Sequence, residues 1–218
     1  MALINQIKDK VRCIYGAKLI TFNYFHHYHH LLKVFGIVVE ASCLLPPNRI
    51  LVRWIKPSSG YYKLNTDGAF SNLKAGVGGI IRDCRGNTIM AFAGPSVIRT
   101  ACLAEILALK YGLNLCNTLG ITNVWIELDA QTIIHYISGK GSANPLYLYI
   151  IREIKCLLYS FNFVLSHIHR EGNAAVDFLA DLGGNLNEFM EFTSTSLPPK
   201  LVGITHLDRV GMPYIRLG

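Results

Sequence analysis

The chain has 218 residues, of which 51% are hydrophobic, so we expect one domain with a sizeable core plus extensions. The mean hydropathy of +0.31 raises the question of a membrane span, but Lys33 and Glu40 interrupt the apolar stretch from Leu31 to Leu45, and we predict no membrane association. The six cysteines form no Cys-x-x-Cys pair, which argues against a zinc ribbon and a disulfide framework. The first residues lack a signal-peptide pattern, so we expect an intracellular protein, in the nucleus or cytoplasm, rather than a secreted one.

The net charge of +7 is concentrated in an N-terminal arm, residues 1–60. This arm has 8 Lys and Arg against 2 Asp and Glu, a balance of +6. Residues 61–184 have 10 against 9, a balance of +1, and residues 185–218 have 3 against 3. A basic arm attracts nucleic acid by neutralising phosphates, or it is a solvated extension, and composition alone leaves both interpretations open.

Orderly periodicity begins after the breaker Lys-Pro-Ser-Ser-Gly at 56–60, where we place the start of the main domain, residues 61–184. Three hairpin-linked strands are predicted over 62–67, 76–82 and 88–93. Helices and strands then alternate, with helices over 100–119, 130–138 and 146–160, a strand over 123–129, a strand over 161–168, and a helix over 173–182 with Asn173 as its N-cap.

This element order predicts an α/β fold, a five-stranded mixed sheet with helices on both faces. Gly76-Val77-Gly78-Gly79 lacks the Lys-Ser/Thr of a phosphate loop, and we interpret it as a strand that is either bulged or tightly approached by another element. Residues 185–218 show little periodicity. We expect a C-terminal extension that lies against the domain or is partly disordered.

Each of four carboxylates has an ordinary structural explanation when it is considered alone. A metal site explains all four together. Asp67 ends the first strand pattern, although Asp-Gly is also a turn. Glu105 is the only charge between residues 100 and 110 of an apolar helix, although an exposed glutamate is the alternative. Asp129 ends a strand and Asp177 begins a helix, where capping and the helix dipole are the alternatives. Carboxylate oxygens are the ligands that Mg²⁺ prefers, and two ions about 4 Å apart need several of them.

The motifs around these carboxylates resemble, in order and element by element, those of the type 1 ribonuclease H family. The resemblance covers about residues 61–184. It rests on Thr66-Asp67-Gly68-Ala69, Ala104-Glu105, Glu127-Leu128-Asp129-Ala130-Gln131, and His167 followed by Asn173-Ala174-Ala175-Val176-Asp177.

The resemblance implies a ribonuclease H-like fold and a metal-dependent endonuclease that cleaves the RNA strand of RNA–DNA hybrids with two Mg²⁺ ions, for which Mn²⁺ can substitute. It implies Asp67, Glu105, Asp129 and Asp177 as metal-binding and catalytic residues and His167 as a catalytic residue for proton transfer or product departure. It also implies contacts to the hybrid's backbone and sugars. These are assigned to Asn72, Thr100 and Gln131. We expect a monomer.

The chain also departs from the family's bacterial members. Asp129 and Asp177 are 48 residues apart, which leaves no room for the extra basic helix that those members use to grip hybrids, so weak intrinsic affinity is expected. The lead-in Trp54-Ile55-Lys56-Pro57, followed by Lys63 to Gly68, resembles plant proteins derived from non-LTR retrotransposons.

Other interpretations remain open at this point. The main alternative is a catalytically inactive module of the same fold that binds nucleic acid or a protein, and a 3′–5′ exonuclease is disfavoured by the spacing of the first two carboxylates. His26-His27-Tyr28-His29-His30 is a weak candidate for a transition-metal site. Tyr147 and Tyr149 are expected in the core. His169 is the rival of His167, and we expect the chain to bend near Ile168 and turn His169 away.

Overall fold

The computed structural model describes residues 2–16, 34–36, 49–71, 74–96, 100–141 and 144–217, which cluster into two compact units. The first unit, within 1–53 and 212–218, contains helix α1 (Ala2–Gly16) and the antiparallel strands β1 (Arg49–Val52) and β8 (Tyr214–Leu217). The histidine cluster at 26–30 lies outside the described residues. Across the described part of the chain, no helix combines the length and apolar character that crossing a membrane requires.

The second unit, Trp54–Gly211, is built on a mixed sheet, as predicted. Strands β2 (Tyr62–Ser71), β3 (Lys74–Arg82) and β4 (Thr88–Pro95) form an antiparallel meander. Strand β5 (Asn123–Leu128) pairs in parallel with β2, and β6 (Asn162–His167) pairs in parallel with β5. The predicted count of five strands is wrong by one, because β7 (Met190–Thr193) adds an antiparallel sixth strand beside β4.

Helices cover both faces of this sheet, which confirms the predicted fold class. Helices α2 (Ala101–Thr118), α3 (Gln131–Ser138) and α4 (Pro145–Leu158) contribute to one apolar cluster, together with Ile81 of β3. Helices α5 (Ala174–Gly183) and α6 (Pro199–Arg209) contribute to a second cluster with Ile80. Ile80 and Ile81 point in opposite directions because successive side chains alternate across a strand. Tyr147 is half-buried against the first cluster, but the expectation for Tyr149 is wrong, since that side chain is 72% exposed.

Helix α5 lies directly on the backbone of β3, as the glycine-rich pattern predicted. A Cβ atom on Gly78 would lie 2.4 Å from the backbone nitrogen of Ala180, and one on Gly76 would lie 2.1 Å from the carbonyl oxygen of Ala180. Real side chains do not tolerate such distances, so only glycine permits this approach. The second half of α5, which begins two residues after Asp177, is thereby held against the sheet.

Residues 185–211, for which little periodicity is evident, are ordered parts of the second unit. Strand β7 and helix α6 both lie there, and α6 buries Leu201, Thr205 and Asp208 along one side. The three positions are four and three residues apart, which is the spacing of one helix face. The domain limits at 60 and 184 stay predictions. The five described cysteines are free, and of these Cys116 is buried.

A buried polar network joins β2 to its parallel neighbour β5. Lys63 Nζ donates to Glu127 Oε1 at 2.9 Å, and Asn65 Nδ2 donates to Glu127 Oε2 at 3.1 Å. The ammonium group also lies 3.5 Å from the centroid of the Trp125 ring. Lys63 and Asn65 are fully buried and Glu127 nearly so, and their charges compensate one another.

The same network extends to β3 and α6. Arg82 Nη2 and Trp54 Nε1 both donate to Asn65 Oδ1, at 2.8 Å and 2.9 Å, and Arg82 Nη1 donates to Asp208 Oδ2 at 2.8 Å. We call the six residues the Lys63–Asp208 network; they are Trp54, Lys63, Asn65, Arg82, Glu127 and Asp208. It connects the C-terminal helix α6 to β2, which carries Asp67, and to β5, which ends directly before Asp129.

Candidate active site

The parallel pairing of β2 and β5 brings two of the predicted carboxylates, Asp67 and Asp129, close together. The register pairs Asn65 with Glu127, and Asp67 and Asp129 each lie two residues further along their chains. Alternate residues of a strand share a face, so Asp67 and Asp129 continue the faces of Asn65 and Glu127. The adjacent strands therefore bring two carboxylates together, although 62 residues separate them in the chain.

The third carboxylate, Glu105, is brought in by a close contact between α2 and β2. A Cβ atom on Gly68 would lie 2.2 Å from the backbone nitrogen of Glu105 and 2.4 Å from the carbonyl carbon of Ala104. The absent side chain at Gly68 thus lets the helix rest on the strand next to Asp67. The Asp-Gly pair at this point lies inside β2, so the alternative interpretation as a turn is wrong.

The three side chains Asp67, Glu105 and Asp129 each place a carboxylate oxygen within 4.8 Å of the other two. We call these three the carboxylate cluster. Asp67 is buried, with 6% of its surface exposed, and the other two are half-buried. The backbone amide of Gly68 donates to Asp67 Oδ1 at 2.9 Å, and Asn173 Nδ2 donates to Asp129 Oδ1 at 3.3 Å.

The ionised forms of the three acids are disfavoured, because the side chains are desolvated and lie close to one another. Burial, with the charges of Asp67 and Asp129, raises the pKa of Glu105 to about 10. Burial and Asp129 raise the pKa of Asp67 to about 6, while a hydrogen bond from Glu105 opposes this rise. Burial also raises the pKa of Asp129. Like charges in a low-dielectric site resist joint ionisation, and a proton on Glu105 that is donated to Asp67 relieves part of this repulsion.

One buried oxygen in the cluster has no partner. Glu105 Oε2 is buried and accepts no hydrogen bond from any described residue, and the same holds for Asn173 Oδ1. Buried polar atoms in proteins are normally hydrogen-bonded, and exceptions need an explanation such as an ion. Oxygen atoms without a hydrogen-bond partner, in and next to a cluster of three carboxylates, are the ligands that a hard divalent cation prefers. The residues present therefore fit Mg²⁺ or Mn²⁺.

Asp177, the fourth predicted ligand, is not part of the carboxylate cluster. It lies in the first turn of α5, and its Oδ1 accepts hydrogen bonds from Arg170 Nη2 at 2.7 Å and from Arg170 Nε at 3.1 Å. Arg170 opens a short 3₁₀ helix, Arg170–Asn173, directly before α5. Our interpretation of the sequence did not single out Arg170. The sequence feature that could have indicated Arg170 is a basic residue seven positions before an aspartate, a spacing of about two helical turns.

Asn173 has a different role from the one predicted. It precedes α5, but its side chain forms no cap hydrogen bond with the helix. Its Nδ2 donates to the Thr66 carbonyl at 3.3 Å as well as to Asp129. The residue occupies the predicted N-cap position of α5, but its side chain links the helix to Thr66 of β2 and to Asp129 instead of capping it.

His167 lies at the edge of the cluster, at the last residue of β6. It is exposed, and its Nε2 hydrogen bonds to the carbonyl of Asp129 at 3.1 Å. The strand ends there, but the expectation that His169 turns away is wrong. The rings of His167 and His169 are in edge-to-face contact, with centroids 5.4 Å apart, so the end of the strand does not separate them.

The predicted substrate contacts are placed as follows. Thr100 is exposed and forms the N-cap of α2, where its Oγ1 accepts a hydrogen bond from the amide of Leu103 at 3.4 Å. Gln131 is exposed at the first residue of α3, directly beyond the cluster. Asn72 lies outside the described residues.

Comparison with known proteins finds relatives of the second unit. Residues 65–183 match the family model described as "Reverse transcriptase-like". A protein of Arabidopsis thaliana, "Putative ribonuclease H protein", is 29% identical over 153 residues, which cover 68% of this chain. The chain spans about a quarter (24%) of the length of that curated relative.

Solved structures share the fold. Ribonuclease H1 of the archaeon Halobacterium salinarum has a TM-score of 0.53 at 22% identity, with 56% of this chain and 96% of that chain covered. LC11-RNase H1, isolated from compost by a metagenomic approach, has a TM-score of 0.55 at 25% identity, with 58% and 96% covered. The same LC11-RNase H1 in complex with an RNA/DNA hybrid has a TM-score of 0.53 at 25% identity, with 57% and 96% covered.

Proposed function

Because the chain belongs to the ribonuclease H family through its reverse transcriptase-like domain, we propose that it is a metal-dependent endonuclease that cleaves the RNA strand of RNA–DNA hybrids. The observation that carries this proposal is the carboxylate cluster, three acids within 4.8 Å of one another. The complex of LC11-RNase H1 with an RNA/DNA hybrid supports the choice of substrate.

Asp67, Glu105 and Asp129 would hold the metal, joined by Asp177 once Arg170 releases it. Two Mg²⁺ ions, or Mn²⁺ in their place, supply water activation and charge neutralisation for an in-line displacement at phosphorus. No nucleophilic side chain is required. Burial and the neighbouring acids raise the pKa values of Asp67 and Glu105. The charge of a bound divalent cation would lower both pKa values and favour the ionised carboxylates.

The protein's own residues orient these ligands. The Gly68 amide holds one oxygen of Asp67, and Asn173 holds one oxygen of Asp129, so each carboxylate keeps a second oxygen for the metal. His167 is placed by its hydrogen bond to the Asp129 carbonyl, where an imidazole can carry a proton between solvent and the leaving group. Thr100, Gln131 and Asn72 would contact the hybrid's backbone and sugars.

The basic arm, residues 1–60, would add affinity for phosphates without sequence preference. Its balance of +6 compares with +1 for residues 61–184. Deleting residues 1–53 of the arm, which leaves Trp54 in the buried network, should weaken hybrid binding and flatten its salt dependence, because fewer counterions are released. An unchanged salt slope would leave the arm without a phosphate role.

The decisive experiment is cleavage of a labelled RNA–DNA hybrid by the purified chain. We expect cleavage that requires Mg²⁺ or Mn²⁺, is abolished by EDTA, and leaves 3′-hydroxyl and 5′-phosphate ends. A double-stranded RNA and a double-stranded DNA of the same sequence serve as controls and should stay intact. A folded chain that binds the hybrid but never cleaves it would identify the inactive binding module instead.

A further inference from the structure

Arg170 and Asp177 form an ion pair beside the carboxylate cluster in which one carboxylate oxygen takes two hydrogen bonds. Arg170 Nη2 and Nε both donate to Asp177 Oδ1, at 2.7 Å and 3.1 Å. Two residues of the same short segment therefore point at each other across the start of α5. The guanidinium acts on the cluster as well. Burial raises the pKa of Asp129, and the charge of Arg170 opposes this rise.

This pair is poorly suited to a structural role. The Arg170 side chain is 77% exposed and that of Asp177 is 36% exposed. Ion pairs in such surroundings contribute little to stability because water screens both charges and the long side chain loses freedom. Breaking this ion pair requires little free energy, and three carboxylates lie next to it. The pair is therefore better suited to an exchange of partners than to a fixed contact.

We propose that Asp177 exchanges Arg170 for a divalent cation, and that the released Arg170 then binds a backbone phosphate of the nucleic acid substrate. The proposal rests on the nuclease function above and assigns a substrate-binding residue to it. The exchange matches each charge to a better partner. A carboxylate oxygen prefers a hard dication to a guanidinium, and the guanidinium's planar fork matches the oxygens of a phosphodiester.

The order of events follows from the geometry. While Arg170 Nε and Nη2 donate to Asp177 Oδ1, this edge of the guanidinium is unavailable for a two-bond contact with a phosphate, and Asp177 Oδ1 is unavailable to metal. A cation bound at Asp177 Oδ1 would end both restrictions at once. Arg170 therefore competes with metal in the free protein and assists substrate binding in the metal-loaded protein, so removing it should have opposite effects on the two affinities.

The test measures both affinities in the full chain. Mn²⁺ binding without nucleic acid is followed by electron paramagnetic resonance of the free ion. Arg170→Ala should bind Mn²⁺ up to about 5-fold more tightly, the factor that corresponds to losing an exposed ion pair. Hybrid affinity is measured with Ca²⁺, whose looser coordination should not support cleavage. Here Arg170→Ala should bind about 10-fold more weakly, with a salt slope smaller by about one.

Two further variants separate this exchange from a structural effect. Arg152→Ala removes an exposed arginine from α4 and should change neither affinity. In an Asp177→Asn background, Arg170→Ala should no longer tighten Mn²⁺ binding, because there is no carboxylate left to compete for. Melting curves of all variants establish that each is folded.

The outcomes are distinct. Arg170→Ala that binds both Mn²⁺ and hybrid more weakly would identify a merely structural residue and overturn the exchange. Unchanged Mn²⁺ affinity would overturn the competition, and unchanged hybrid affinity would overturn the phosphate contact. If neither the natural chain nor the variant bound Mn²⁺, the metal site would be wrong, and the proposed nuclease function would fail together with the exchange.

Discussion

Two groups of buried or half-buried ionisable residues are built around the same pair of strands, β2 and β5, and they differ in how their charges are compensated. In the Lys63–Asp208 network, Lys63 faces Glu127 at 2.9 Å and Arg82 faces Asp208 at 2.8 Å. In the carboxylate cluster, only two to four residues further along the strands, acids face acids. Burial by itself therefore does not indicate function.

A buried charge that faces an opposite charge is typical of a structural group, whereas a buried charge that faces like charges is typical of a functional one. Burial lowers the pKa of Lys63, but the Glu127 carboxylate beside it opposes that shift, so the pair is stable as it stands. Burial raises the pKa of Asp67 to about 6, and its neighbour Asp129 adds to the shift. In the network, Lys63 and Arg82 each face an opposite charge, whereas in the cluster the neighbouring acids add to the rise in the pKa values of Asp67 and Glu105.

The largest expected effect is on catalysis by the cluster. Asp67→Asn should lower hybrid cleavage at least about 10³-fold, because it removes a metal ligand, and metal stabilisation of the transition state amounts to several kcal/mol. The fold should be unaffected, as judged by circular dichroism. Asp181→Asn, the same substitution at an exposed position of α5, serves as the matched control and should stay active. Normal cleavage by a pure, folded Asp67→Asn protein would disprove the assignment of the cluster.

The next effect is on stability and concerns the network. Lys63→Met should lower the free energy of unfolding by about 3–5 kcal/mol, because it leaves the Glu127 charge buried and unpaired. Lys110→Met, which breaks a half-exposed pair with Glu153, should cost less than about 1 kcal/mol. Urea denaturation measures both. The double variant Lys63→Met/Glu127→Gln should recover part of the loss, and equal costs for the two lysines would contradict the distinction between the regions.

A smaller effect is expected at the edge of the cluster. His167→Ala should lower kcat by roughly 10²-fold and leave hybrid affinity nearly unchanged, because a proton-transfer group assists the metal without replacing it. His169→Ala should do less, since the His169 ring packs against the His167 ring and His167 is the residue bonded to the Asp129 carbonyl. Single-turnover kinetics and equilibrium binding separate the two quantities. A greater loss for His169→Ala would reverse the assignment.

The smallest effect is the pH dependence of stability without metal. The pKa values of Asp67 and Glu105 are raised to about 6 and about 10, so folding favours their protonated forms. Their stabilising contribution is complete below about pH 4 and is lost as the pH rises, through about 6 for Asp67 and on towards 10 for Glu105. In EDTA, the Tm should therefore fall across this range relative to that of Asp67→Asn, by about 2–4 °C for each kcal/mol.

Mg²⁺ should reverse this trend, because the metal binds the ionised carboxylates and stabilises the folded state more at higher pH. The Lys63–Asp208 network provides the contrast, since its compensated charges should respond little to Mg²⁺. Equal Mg²⁺ stabilisation at pH 5 and pH 8 would show that the cluster does not take up the metal.

Much of the fold was predictable from local patterns. The alternation around Asp67, the apolar helix around Glu105 and the strand before Asp129 each specify an element that tertiary packing did not override. The sixth strand and α6 were missed because β7 has only four residues and α6 has a weak apolar pattern. The buried side of α6 includes Asp208, whose partner Arg82 is 126 residues away.

The sequence by itself determined the order of the elements and which carboxylates were candidates, because residue type and periodicity are local properties. Only the tertiary structure decided how charges are paired. It directed the Asn173 side chain to Asp129 rather than to its own helix, paired Asp177 with Arg170, and left Glu105 Oε2 without a hydrogen-bond partner among the described residues. Burial and pairing depend on which distant segments meet. The physical basis of the site, three buried or half-buried carboxylates that lie close to one another, therefore arises only on folding.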